Sequence, residues 1–189
     1  MAKKKKKPSL PQAFSEVRYI KEKARTFPID ACLYTPGWEE SGFCQILITR
    51  KQPSGKFMIG FFLVDPWCLG IKNAMYRVNM TEDDMDEFLH SIELQGDSNF
   101  QSCEYVFAHN MIFGALEYAE DLGFFPNSDF NVAKYILEED NDDIELIEFE
   151  FGHNGKPHFF AGPYDDVRRV IRTLEKSVGS GNFHYTAPL

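Results

Sequence analysis

A thiol, an imidazole and a carboxylate are the side chains of this sequence that could combine to do chemistry. Cys68 lies in Asp65-Pro-Trp-Cys-Leu-Gly70, a connection full of large apolar residues where loops are ordinarily polar. A cysteine becomes a nucleophile when a cation, an imidazole or a helix N-terminus depresses its pKa. His109 is the imidazole best placed for that task, because it falls on the apolar stripe of a long helix expected over 102–122. Asp65 would orient the ring. This set would make the protein a small hydrolase or transferase. With Trp38 and Trp67 it would line one pocket: Trp38, Asp65, Trp67, Cys68 and His109. The structural alternative is a buried kink in which Asp65 bonds local backbone N–H groups and Gly70 takes a positive φ. A lone histidine on an apolar helix face is more often a core residue than a catalyst, so the sequence leans away from an enzyme.

Other chemistries lack their signatures. His90, His109, His153, His158 and His184 show no HExxH or HxH spacing, and no metal site or cofactor is expected. His153 and His158 flank an Asn-Gly pair and would face each other across a hairpin. The acidic run 138–143 lacks the glycine and the closing glutamate of an EF-hand loop, and reads as a solvated loop. No phosphate-binding glycine loop and no GxSxG elbow occur. The cysteines Cys32, Cys44, Cys68 and Cys103 form no CxxC, and as small hydrophobes they fit a reducing cytoplasm.

The formal net charge is −9, and it is unevenly spread. Lys3, Lys4, Lys5, Lys6 and Lys7 form a basic leader, without which 15 basic residues face 29 acidic ones. So acidic a body argues against wrapping nucleic acid. The lysine run could still touch RNA, although a solvated leader is the plainer account. No apolar h-region follows the lysines, and no apolar run is long enough to span a bilayer. The expected organisation is a leader over 1–8, one domain over 9–179 and a tail over 180–189.

The elements that must position these residues follow from periodicity. Ser9, Pro11 and Gln12 open a helix that Pro28 stops, with Phe14, Val17, Ile20, Ala24 and Phe27 on one stripe. Three apolar runs, 43–50, 57–64 and 71–78, form a meander. The middle run carries no charge on either face, so it should be covered on both sides. Cys32-Leu33-Tyr34 reads as a short extended piece. Thr81 caps a helix whose first turn is acidic, and Ala108, Ala115 and Ala119 give the long helix a close-packing face. A short helix follows Asp129. Residues 144–151 and 156–161 read as a late hairpin turning at Asn154-Gly155, before a last helix ending at Gly179.

Three groups of residues carry a resemblance. They are Trp38-x-Glu40-x-Gly42, then Leu63-Val-Asp-x-x-Cys68-Leu-Gly70-Ile-Lys72, then Gly114-Ala115…Tyr118-Ala119…Leu122-Gly-Phe124-x-Pro126-x-x-Asp129-Phe130. Over roughly 24–140 the chain resembles an uncharacterised family of bacterial and plant proteins. The resemblance implies a shared domain and no reaction. Where that family tends to carry a histidine after the proline, this chain has Asn127.

Taken together, the sequence predicts an α+β protein with a mostly antiparallel sheet of about five strands, the meander plus the late hairpin, packed by four to five helices. A binding or adaptor role with a protein partner is the expected function, and a Cys68–His109 hydrolase or transferase is the alternative.

Overall fold

The computed structural model describes residues 14–93 and 99–187 of the chain. The fold is α+β. The strands of the large antiparallel sheet are β1 (Ile29–Tyr34), β2 (Cys44–Lys51), β3 (Phe57–Asp65), β4 (Gly70–Met80) and β5 (Gln101–Ser102), in the order β4-β3-β2-β1-β5. A small parallel pair, β6 (His158–Phe160) and β7 (His184–Thr186), lies apart from it.

Alternation along β3 explains the layering. Met58, Phe62 and Val64 point to one face, where they pack with Ile46 and Ile48 of β2. Phe57, Ile59 and Phe61 point to the other, with Leu47. Helices α1 (Glu16–Lys23), α4 (Tyr105–Asp121) and α5 (Phe130–Ala133) cover the first face, with Trp38 of the short α2 (Trp38–Ser41) packed against them. Helix α3 (Glu82–Glu93) covers the second with Met85, Phe88, Leu89 and Ile92. The uncharged middle run is therefore sandwiched, as a strand apolar on both faces must be. A third cluster joins Cys68 and Leu122 to Phe159 and to Val170 and Leu174 of α6 (Val167–Ser177).

Local signals act as their chemistry dictates. The Thr81 and Asp84 side chains exchange bonds with each other's backbone N–H at the start of α3. Gly70 has φ +65°. A Cβ there would lie 2.6 Å from Ala119 Cβ and 2.7 Å from the Ala115 carbonyl oxygen, which is why small residues face it. Arg50 is fully buried yet satisfied. It donates to the Phe27 and Ile136 carbonyls at 2.6 Å each and to Glu138 at 2.7 Å, tying β2 to the chain on either side of it.

Three expectations need correction. The first described helix starts at Glu16, with Ser15 accepting from the Arg18 N–H, while the lysine leader and Ser9, Pro11 and Gln12 lie outside the described residues. The extended piece at Cys32 is a full strand, β1, and it supplies the sheet's fourth member, with β5 as the fifth. The late hairpin does not form. Its turn is made, with Asn154 and Gly155 at φ 53° and 73°, but only a single bridge, His153 to Lys156, flanks it. Residues 144–151 are not a strand, because the Asn110 side chain takes the bonds a partner strand would have made. Its Nδ2 donates to the Glu145 carbonyl at 2.9 Å and its Oδ1 accepts from the Ile147 N–H at 3.1 Å. Within the tail, β7 (His184–Thr186) lies on the chain before it, pairing in parallel with β6 (His158–Phe160).

Candidate functional site

The corner after β3 is built around Asp65, which is 1% exposed. Its Oδ1 accepts from the Trp67 N–H at 3.1 Å and the Cys68 N–H at 2.9 Å, and its Oδ2 has no partner. Burial pushes its carboxyl up to about 7, against the pull of Lys72 and of the backbone donors. Cys68 is sealed, at 0% exposure. Burial drives its thiol far above the ordinary range, and Asp65 beside it adds to the effect. That is the opposite of an activated nucleophile.

His109 stands elsewhere. Tyr118 is the α4 residue whose hydroxyl feels Cys68 and Asp65. His109 lies nine residues earlier on the same helix, roughly 13 Å along the axis. Its ring contacts Tyr105 and Phe113, and the charges that act on it are those of Asp140 and Glu138. The cysteine, imidazole and aspartate do not assemble, and the hydrolase reading loses its geometry. Of the expected pocket, Trp38 and Trp67 do share a cleft, about 290 Å³, with Glu39, Glu150 and His153. Asp65 and Cys68 belong to the sealed corner, and His109 lines a different cleft.

Two arrangements go beyond what the sequence shows. His153 and His158 meet, as expected, and both pack on Trp67, and a third ring, His184, lies against His158; the His158 ring is 5.5 Å from His153 and 6.0 Å from His184. Burial and the two neighbouring imidazoles hold His158 below the usual histidine range. No regular spacing marks the cluster, because β7 brings the third ring from the far end of the chain. Among the described residues no group of three or more His, Cys, Asp or Glu side chains could hold a metal ion. Asn127 is a structural residue: its Oδ1 accepts from the Phe130 N–H and its Nδ2 donates to Asn73.

The second arrangement is a groove of about 410 Å³ between α4 and residues 144–151. Phe113, Tyr118, Phe149 and Phe151 give it an apolar floor. Glu117, Asp121, Asp140 and Glu148 rim it, and among the described residues no lysine or arginine lines it. Phe149 and Phe151 turn inward onto Trp38, Phe107 and Tyr118, while Glu148 and Glu150, before and between them, face solvent. That period of two marks an extended chain. Among the described residues, the backbone N–H groups of Glu148, Phe149, Glu150 and Phe151 make no hydrogen bond. Leu146 beside them is 76% exposed.

No family model, no curated protein and no solved structure matches the chain. Among the described residues no helix is long and apolar enough to cross a membrane.

Proposed function

We propose that this protein is a protein-binding module that receives a basic, extended chain segment along the groove between α4 and residues 144–151. One observation carries the reading. A stretch of alternating side chains, whose backbone donors have no partner among the described residues, borders a groove with an aromatic floor and, among those residues, carboxylates as its only charged lining. A strand laid beside residues 148–151 would gain main-chain hydrogen bonds, as in strand addition at a sheet edge. Its alternate side chains would cover Leu146 and Ile147, and its lysines or arginines would meet Glu117, Asp121 and Glu148. The charge of the partner follows from that rim and from the acidic body.

The test is fluorescence anisotropy with the full chain and a labelled peptide of alternating lysine and valine. Binding in the micromolar range that weakens with added salt is expected. The double variant Asp121→Lys with Glu148→Lys should weaken it about tenfold, since each rim ion pair contributes on the order of 1 kcal/mol or less. N-methylation of alternate peptide nitrogens should abolish it. Equal binding by a glutamate–valine peptide, or indifference to the double variant, overturns the proposal.

A further inference from the structure

The tail strand β7 meets the rest of the protein at a seam crowded with imidazoles. The His184 N–H donates to the Pro157 carbonyl and the Ala161 N–H to the Thr186 carbonyl, each at 2.8 Å, at the two ends of the pairing with β6. All three β7 residues are exposed, so the strand itself buries little. Phe183 and Ala187 flank it and pack on the cluster of Phe159 and Leu174. His158 of β6 stands at the seam. Its ring is stacked on Trp67, and its Nε2 lies 3.1 Å from the Thr186 Oγ1. His153 approaches it from the turn at Asn154, and His184 approaches it from β7. Its Nδ1 is buried and has no hydrogen-bond partner among the described residues.

That orphan nitrogen makes the seam intolerant of a proton. Whichever nitrogen holds the proton of the neutral ring, the imidazolium holds one on both. A charged N–H at Nδ1 would be shut in with no acceptor, which costs more than a neutral nitrogen left unpaired. The surroundings give no relief. The charges that act on His158 are those of His153 and His184, both of the same sign as its own. The other titratable groups of the neighbouring elements are engaged elsewhere. Lys156 Nζ donates to the Gly181 carbonyl, and Asp65 accepts from the Trp67 and Cys68 N–H groups. Cys68 is sealed, and Tyr185 is exposed. Glu39 and Glu150 share the cleft of His153, where they offset a charge on that ring.

We propose that His153, His158 and His184 form an acid-opened clasp, in which a proton taken up by His158 beside the other two imidazoles drives β7 off β6. Because β7 walls one side of the cluster, its departure admits water to the His158 ring and parts it from His184. The sign follows from linkage. The open form takes up the proton near the ordinary histidine value of 6.5 and the closed form only below it, so falling pH favours opening. One proton bound only on opening raises the opening constant about tenfold between about pH 7.5 and about pH 5.5. Opening bares the Ala161 N–H and the Pro157 carbonyl, a short strand edge that the tail covers at neutral pH.

Hydrogen exchange of the full-length protein, read amide by amide by NMR and corrected for the intrinsic effect of pH, tests the clasp. Protection of the Ala161 and His184 amides should fall about tenfold from about pH 7.5 to about pH 5.5, while that of Ile48 and Phe62 in β2 and β3 holds. His158→Gln keeps an amide donor for Thr186 and removes the titration, so protection should be flat across the window. His184→Gln, at an exposed position, removes one like charge and should shrink the fall. Thr186→Val removes the Nε2 partner but leaves the titrating ring, so it should lower protection at both pH values and keep the fall. Equal protection of the wild type at the two pH values, or a fall as large in His158→Gln as in the wild type, overturns the inference. So does a His158 ring that titrates at or above 6.5 with the tail in place.

Discussion

Replacing Asp65 by asparagine should make the protein more stable at alkaline pH and less dependent on pH. The carboxyl titrates near 7 in the fold, against an ordinary value of 3.8 that the unfolded chain would show. At low pH both states hold the proton. As pH rises past 3.8 the unfolded chain releases it and the folded chain does not, so stability falls until pH passes 7. The full loss is roughly 4 kcal/mol, taking about 1.36 kcal/mol for each tenfold change in proton affinity. An asparagine side chain at this position would keep an Oδ1 acceptor for the Trp67 and Cys68 N–H groups. Its Nδ2 would replace an Oδ2 that already has no partner, so the amide adds little new penalty. Urea unfolding followed by tryptophan fluorescence at about pH 4.5 and about pH 8.5 measures the effect. The stability of Asp65→Asn relative to wild type should move by about 3 kcal/mol in the variant's favour between the two pH values. A difference that stays constant across that window, to within about 0.5 kcal/mol, would show that Asp65 is ionised in the fold at acid pH and refute the reasoning.

Arg50→Met should destabilise by about 3–5 kcal/mol, lowering Tm by roughly 10 °C, because it strands the Phe27 and Ile136 carbonyls. Arg50→Lys should not restore the loss, since one ammonium cannot match the three directions of the guanidinium; recovery to within about 1 kcal/mol would count against that geometry. Cys68 should resist iodoacetamide in the native state at about pH 8, at a rate about a hundredfold below that of half-buried Cys103, and react once urea unfolds the chain. Fast native labelling of Cys68 would reopen its use as a nucleophile.

What is legible in the sequence is whatever a local pattern determines. The uncharged run in β3 announces burial on both faces, because a strand face that meets water carries polar side chains. Thr81 with Asp84, and Gly70 beside a stripe of alanines, announce a cap and a close approach from residue types alone. The corner at Asp65 is legible as a carboxylate bonding its own backbone. A partnership with His109 is not, since two residues can share a sheet-facing surface and still stand turns apart along one helix. The strand β1 is easily underrated, because Ile29-Asp-Ala-Cys-Leu-Tyr34 carries an acid and an alanine in its first half. Its pairing with β2 decides the matter, and pairing is not a local property.

Residues 144–151 show the limit most clearly. Their alternation of aromatic and acidic side chains is a strand pattern, and it does place Phe149 and Phe151 inward. The pattern cannot say what bonds the backbone. Asn110, a polar residue in the middle of a buried helix face, reaches out and takes the bonds at Glu145 and Ile147, and the backbone N–H groups of the four residues that follow have no partner among the described residues. An asparagine on an apolar face is therefore the one signal in the sequence that this stretch lies on a helix rather than on a strand. The same side chain that withholds residues 144–151 from a sheet holds open the edge on which the proposed partner would be read.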